Sequence, residues 1–335
     1  MTENRKARFG HTELPPEQAA ALRKAVKFEW ITIVFLAVTT FVVFLVLGNS
    51  QAMKAAWIED LLSFLPPIAF LVAVRIIRRV PDERHPYGHH RAVGVAHLVA
   101  AVALTVMGGF LVVDSGMGLI TAEHPSIGGV EVFGQVIWLG WLMIGIMLLT
   151  AAPPVYLGHV KMKLASKLHD KVLYADADMN KADWMTAVAA AVGVAGIGIG
   201  LWWADYAAAL LISVSILHDG VKNLRAAIGG LTDARAMTYD DAEPHPLTSE
   251  VDEYLRRLDW VDDARSRTRD EGHVFHIESF VVPAGKRTPT IKQIEQAREG
   301  CVQLDWKVQD MIIVLVGELP DEFLPGLETA GAEKS

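Results

Sequence analysis

Residues 81–91 read PDERHPYGHHR, a polar run set between two apolar blocks at 55–77 and 92–120. Each block is long enough to cross a bilayer, because about 20 apolar residues in a helix span the hydrocarbon core. The run places Asp82, His85 and His89 three and four residues apart. A carboxylate with two imidazoles is a sound three-ligand set for a divalent metal. The same residues can equally be polar punctuation of a short turn, so the rest of the chain has to supply the context.

That context is a membrane. Of 335 residues, 52% are hydrophobic, above an ordinary soluble average, and the apolar blocks lie mostly before about residue 230. Six segments predict transmembrane helices: 28–48, 55–77, 92–120, 136–158, one from near Met179 to Trp203, and one at 206–221 with flanks reaching Asp205 and Leu224. Lys and Arg cluster before the first span and between spans two and three (Arg78, Arg79, Arg84, Arg91). Further clusters follow between spans four and five (Lys161, Lys163, Lys167, Lys171) and after span six (Lys222, Arg225), while none occurs from 92 to 160. By the positive-inside rule both termini lie in the cytoplasm, an orientation that suits a bacterial inner membrane. Paired prolines at 66–67 and 153–154 predict kinks in spans two and four, each either a hinge or a static break.

The opening residues lack an apolar core and read as a cytoplasmic arm (1–27) rather than a cleavable signal. The spans occupy 28–230, a Pro- and Asp-rich linker 231–248, and a soluble tail 249–318, before residues 319–335, which are expected to be disordered. Within the tail, the order helix, two strands, helix, strand predicts a small α+β layer with one sheet covered on one face. Thr288 or Thr290 is placed to cap its second helix. A single cysteine, Cys301, excludes a disulfide framework and any CxxC motif. The net charge of −8 argues against nucleic acid as a partner. No glycine-rich phosphate loop is present, which argues against a nucleotide-driven pump or an organic cofactor.

Ionisable groups inside membrane spans are costly and point to function. Span two holds Glu59 and Asp60, with Ser63 one turn on. At the entry to span five, Asp176, Met179, Asn180 and Asp183 recur at three or four residues and share one helix face. If the two spans touch, these groups form an oxygen-dominated site suited to Mn²⁺ or Fe²⁺, and to Zn²⁺ less comfortably. The alternative stays open: Glu59 and Asp60 at a solvated interface, Asp176 and Asp178 at a helix start that favours anions, and Lys181 neutralising Asp178. His97 reads as a polar contact between helices.

HPYGHHRA is similar to the HPYGHGRAE signature of the cation diffusion facilitator family, and residues 204–233 resemble that family's sixth span and exit. The resemblance covers nearly the whole chain. It implies a six-helix transmembrane bundle followed by a small cytoplasmic, metallochaperone-like α+β domain. The implied activity is that of a homodimeric carrier, not an enzyme, which exports divalent transition metals against inward protons. The family's ligand pairs on spans two and five fall on Glu59 with Ser63 and on Met179 with Asp183. Only Asp183 keeps the usual ligand type; Asp60, Asp176 and Asn180 are the nearby replacements. In relatives, residues at the positions of Asp82, His85 and His89 can hold a second metal. His90 and Val93 depart from the signature's usual Gly and Glu. The tail resembles the family's dimerisation domain; His273 and His276 are its only nearby metal candidates, and neither falls where the family's junction ligands would, so the tail is expected to dimerise without a full metal cluster. These departures motivate a second reading, a non-transporting scaffold or metal sensor paired with another family member. A third is a carrier of a non-metal cation.

Overall fold

The computed structural model describes residues 14–79, 81–132, 135–272, 274–285 and 288–323. The chain divides into two compact units. One holds Pro16–Ile76 and Ala92–Gly229; the other gathers Ile77–Arg91 with the chain from Gly230 onward.

The first unit is a helical bundle of α1 (Pro16–Val46), α2 (Gln51–Leu62), α3 (Leu65–Ile77), α4 (Ala92–Ile120), α5 (Leu139–Leu168), α6 (Lys171–Gly198) and α7 (Trp202–Leu231). Its polarity is inverted relative to a water-soluble bundle. On α1, Glu29, Thr32, Thr39 and Thr40 are buried while Val34, Val38, Phe41 and Leu45 are exposed. Thr32 and Thr39 satisfy themselves on the helix, their Oγ1 atoms donating to the carbonyls of Phe28 and Phe35 at 3.0 and 3.1 Å. Such a pattern suits lipid outside and small polar groups within. Among the described residues, five helical segments are long and apolar enough to cross a membrane: α1, α2 with α3, α4, α5 and α7. α6, the predicted fifth span, is as long, but its first half carries Asp176, Asp178, Lys181 and Asp183.

The helices outrun the apolar blocks. α1 begins twelve residues before the predicted span at 28, and α5 runs on to Leu168, beyond the predicted end at 158. Hydropathy marks the part of a helix in oil, whereas backbone bonding continues through its polar ends. The predicted start of span four at 136 is corrected. Gln135–Trp138 is strand β2, paired antiparallel with β1 (Gly129–Val132), and the helix begins only at Leu139.

Three local devices position the polar groups. Span two is broken: Pro66 and Pro67 sit in the first turn of α3, so the carbonyls of Leu62 and Ser63 lack their helical donors and α2 ends there. Pro153 and Pro154, by contrast, lie inside a continuous α5. Between α5 and α6 the chain turns on His169 in the left-handed region (φ 47), and Asp170 caps α6 by accepting from the amides of Val172 and Leu173 at 3.0 and 2.9 Å. At the start of α2, Asp205 of α7 accepts from Ser50 Oγ at 2.6 Å and from the Gln51 amide at 2.5 Å, capping one helix from another.

In the second unit, α8 (Leu247–Arg256), β3 (Val261–Asp270), β4 (Phe275–Pro283), α9 (Ile291–Val302) and β5 (Val308–Leu315) follow the helix, strand, strand, helix, strand order read from the sequence. The sheet runs β3-β4-β5, antiparallel then parallel. Leu247, Val251 and Leu255 of α8 join Ala264, Phe275, Ile277, Met311 and Cys301 in its core. Thr290 is the cap of α9, in a reciprocal capping box with Gln293. Arg91 donates to the carbonyl of Leu231 at 3.1 Å and pairs with Asp233, holding the polar loop to the start of the tail. That hydrogen bond keeps the Asp233 carboxyl below the usual carboxylate range. His273 and residues 324–335 lie outside the described residues.

Candidate metal centres

The break in span two decides where its carboxylates point. Glu59 and Asp60 occupy the last turn of α2, where unpaired carbonyls and the negative end of the helix dipole favour a cation. Asp183 sits three turns into α6. These three carboxylates line one cavity of about 30 Å³, together with Thr39 of α1, Thr150 of α5 and Thr186 of α6. That volume admits a water or a bare ion, but no organic solute. Thr39 and Thr150 direct their hydroxyl hydrogens at backbone carbonyls, 3.1 and 3.0 Å away, which leaves oxygen lone pairs for the cavity. Glu59 Oε2 is buried without a hydrogen-bond partner. The charges of Glu59 and Asp60 both act on Asp183. The Met147 thioether lines the same wall. Three like charges around a void of this size need a cation or protons to balance them.

Of the seven residues expected at the membrane site, the structure brings together Glu59, Asp60 and Asp183. Ser63 donates instead to the carbonyl of Glu59 at 3.0 Å, helping to end α2. Met179 lines a separate small cavity with His97, Asn223 and Pro66, where His97 meets Asn223 at 3.1 Å. Asp176 and Asn180 belong to another cluster. Asn180 Nδ2 donates to Asp176 Oδ1 at 3.1 Å, and Asp176 pairs with the ammonium of Lys161, which also lies 2.9 Å from Glu29 Oε2. Counting Lys161 among the inner-loop cations is therefore corrected: it lies within α5 and is completely buried. Sequence reading missed Glu29 too, although an acid within an apolar run was the signal. Asp178 pairs with Lys222 at 3.6 Å, and the side chain of Lys181 lies outside the described residues.

The second centre is local. Asp82 Oδ1 accepts from the amides of Arg84 and His85 at 2.9 and 2.7 Å and stands 3.1 Å from His85 Nδ1. Those bonds, the His85 amide first, hold the Asp82 carboxyl below the usual range. The His85 and His89 rings lie tilted at 38° with centroids 4.2 Å apart, and one potential ligand atom from each of the three residues lies within 4.8 Å of the others. Gly88 makes this turn, with φ +82 and its amide donating to the His85 carbonyl at 3.0 Å. The trio thus combines a preformed turn with one oxygen and two nitrogen ligands, exposed enough for an ion to reach.

An apolar-faced helical bundle with a carboxylate-lined internal cavity defines a membrane protein that handles cations. The family model for the cation efflux transmembrane domain matches residues 28–232. With well over half of its length covered, the chain belongs to the cation efflux, or cation diffusion facilitator, family of metal-cation transporters. It is similar to the uncharacterized transporter YdbO of Bacillus subtilis (strain 168), 27% identical over 278 residues that cover 81% of this chain and 88% of that protein. The manganese efflux system protein MneS of the same organism is 26% identical over 187 residues, 56% of this chain and 60% of MneS. The cation-efflux pump FieF of Cronobacter sakazakii is 27% identical over 195 residues, 58% of this chain and 61% of FieF.

Proposed function

We propose that this protein exports a divalent transition metal from the cytoplasm in exchange for protons, with Mn²⁺ as the first substrate to test. The observation that carries this reading is the convergence of Glu59, Asp60 and Asp183 on one ion-sized cavity. Its donors are carboxylate and hydroxyl oxygens with a single thioether, a set that suits Mn²⁺ better than softer ions. The name of MneS, a manganese efflux system protein, points the same way. Carboxylates bind metal only when deprotonated, so protons arriving from the far side would displace the ion. In this reading α6 is the fifth of six crossings, and both termini lie on the cytoplasmic side. The Asp82, His85 and His89 trio acts as a cytoplasmic collecting site, and two copies assemble through the α+β tail. The test is Mn²⁺ flux in proteoliposomes: Asp183→Asn is expected to abolish it together with the accompanying proton movement. Undiminished flux in that variant would remove the proposed site.

A further inference from the structure

Lys161, Glu29 and Asp176 meet from three helices, α5, α1 and α6, and all are essentially shut off from solvent. Three features set this cluster apart from ordinary helix glue. It contains two acids for one ammonium, and a sealed ionic group is a costly way to join helices that apolar side chains could join instead. Glu29 Oε1 is buried with no hydrogen-bond partner, so the acidic capacity of the cluster exceeds what Lys161 takes up. Asn180 donates both to the Asp176 carbonyl, at 2.7 Å, and to its carboxylate, fixing the direction of that acid. Two oriented carboxylates around a single seated cation have the make-up of a cation site, with the cation supplied by the chain itself.

Asp176 and Asp183 are seven residues apart on α6, roughly 10 Å along the helix and on the same face. The charges of both Asp176 and Lys161 act on Asp183. An empty acidic site at that distance would compete with the pocket for metal. We propose that the Lys161 ammonium is a tethered cation filling a second acidic site made by Glu29 and Asp176, and that it thereby confines the transported metal to the pocket of Glu59, Asp60 and Asp183. The inference rests on the transport pocket described above and adds the residue that sets its occupancy at one ion.

The test is equilibrium binding of Mn²⁺ to the purified full-length protein in nanodiscs, with metal counted by atomic emission. Lys161→Met is expected to bind one more Mn²⁺ per chain than the parent, and the added ion should vanish when Glu29→Gln is combined with it. Lys161→Arg, which keeps a cation, should bind no extra metal. Unchanged stoichiometry in a folded Lys161→Met protein overturns the proposal. If that variant is recovered unfolded, Mn²⁺ supplied during purification should restore its elution as a folded species, because the ion replaces the missing ammonium; no restoration also overturns it. Asp183→Asn in the parent separates the two readings. Loss of one ion there supports the transport pocket, and retention of all bound metal refutes the pocket without touching the count gained at Lys161→Met.

Discussion

The two candidate centres are made in opposite ways. The loop trio comes from eight consecutive positions, and its geometry follows from one turn: an Asp side chain bonded to amides two and three residues on, and a glycine in the left-handed region. The membrane pocket collects α1, α2, α5 and α6, and its shape depends on where α2 stops and on how α5 and α6 lie together. The loop trio is exposed, so water solvates an unbound ion's competitors there at little cost. In the pocket the carboxylates sit in a bundle interior, where removal of one charge is felt by the rest. On the proposed reading the difference between them is one of replaceability: the loop should tolerate the loss of a ligand better than the pocket does.

The largest effect is therefore expected at Asp183. In Asp183→Asn the pocket loses one of its three anionic ligands, and breaking a buried charge pairing typically costs about 3–5 kcal/mol. Mn²⁺ affinity at the membrane site should fall by about a hundredfold or more, read by isothermal titration. Removing both imidazoles of the loop, His85→Ala with His89→Ala, is expected to act on capture alone. KM for Mn²⁺ should rise by roughly tenfold with kcat retained, the signature of lost uniform binding. A collapse of kcat would contradict the division of labour and make the loop part of the translocation step.

A smaller effect separates ligand chemistry from loop shape. Gly88→Ala keeps Asp82, His85 and His89 but forces a side chain into φ +82, with its Cβ 3.1 Å from the His90 ring. The left-handed conformation costs an ordinary residue roughly 1–2 kcal/mol. Metal affinity at the loop, measured in an Asp183→Asn background, should drop by roughly five- to thirtyfold. No drop would mean that the three ligands find one another without the turn.

The same contrast explains what could be read in advance. The loop trio was legible because sequence neighbours are spatial neighbours in a turn. Asp183 was legible because a carboxylate in an apolar helix has few bland explanations. Thr39, Thr150 and Met147 were not, since a lone hydroxyl or thioether on a membrane helix carries no periodic signal and gains meaning only from the helix facing it. Lys161 was misplaced because apolar runs report the oil-facing length of α5 and stop short of its polar, buried end. Ser63 and Met179 were transferred by position from a family pattern, whereas Ser63 bonds the Glu59 carbonyl at the proline break and Met179 lines a different cavity. In the tail, alternation and a capping Thr sufficed, because a soluble α+β layer advertises its buried face.

The smallest effect falls in the tail, which serves as a control for both centres. His276 is almost fully buried, with Asp310 3.9 Å from Nδ1 and Glu278 3.2 Å from Nε2. Asp310 foremost, and Glu278 with Glu271, raise its pKa above the ordinary 6.5, against burial and the charge of Arg269. A group whose folded value is raised stabilises the fold fully below its unfolded value and loses that contribution as pH climbs through the folded one. The full-length protein should accordingly show a melting temperature that declines from pH 6.5 upward by a component absent in His276→Gln. Mn²⁺ stoichiometry should be the same in that variant as in the parent. A pH slope that survives His276→Gln would assign it to another group. A changed metal count would make the tail a third centre and end its use as a control.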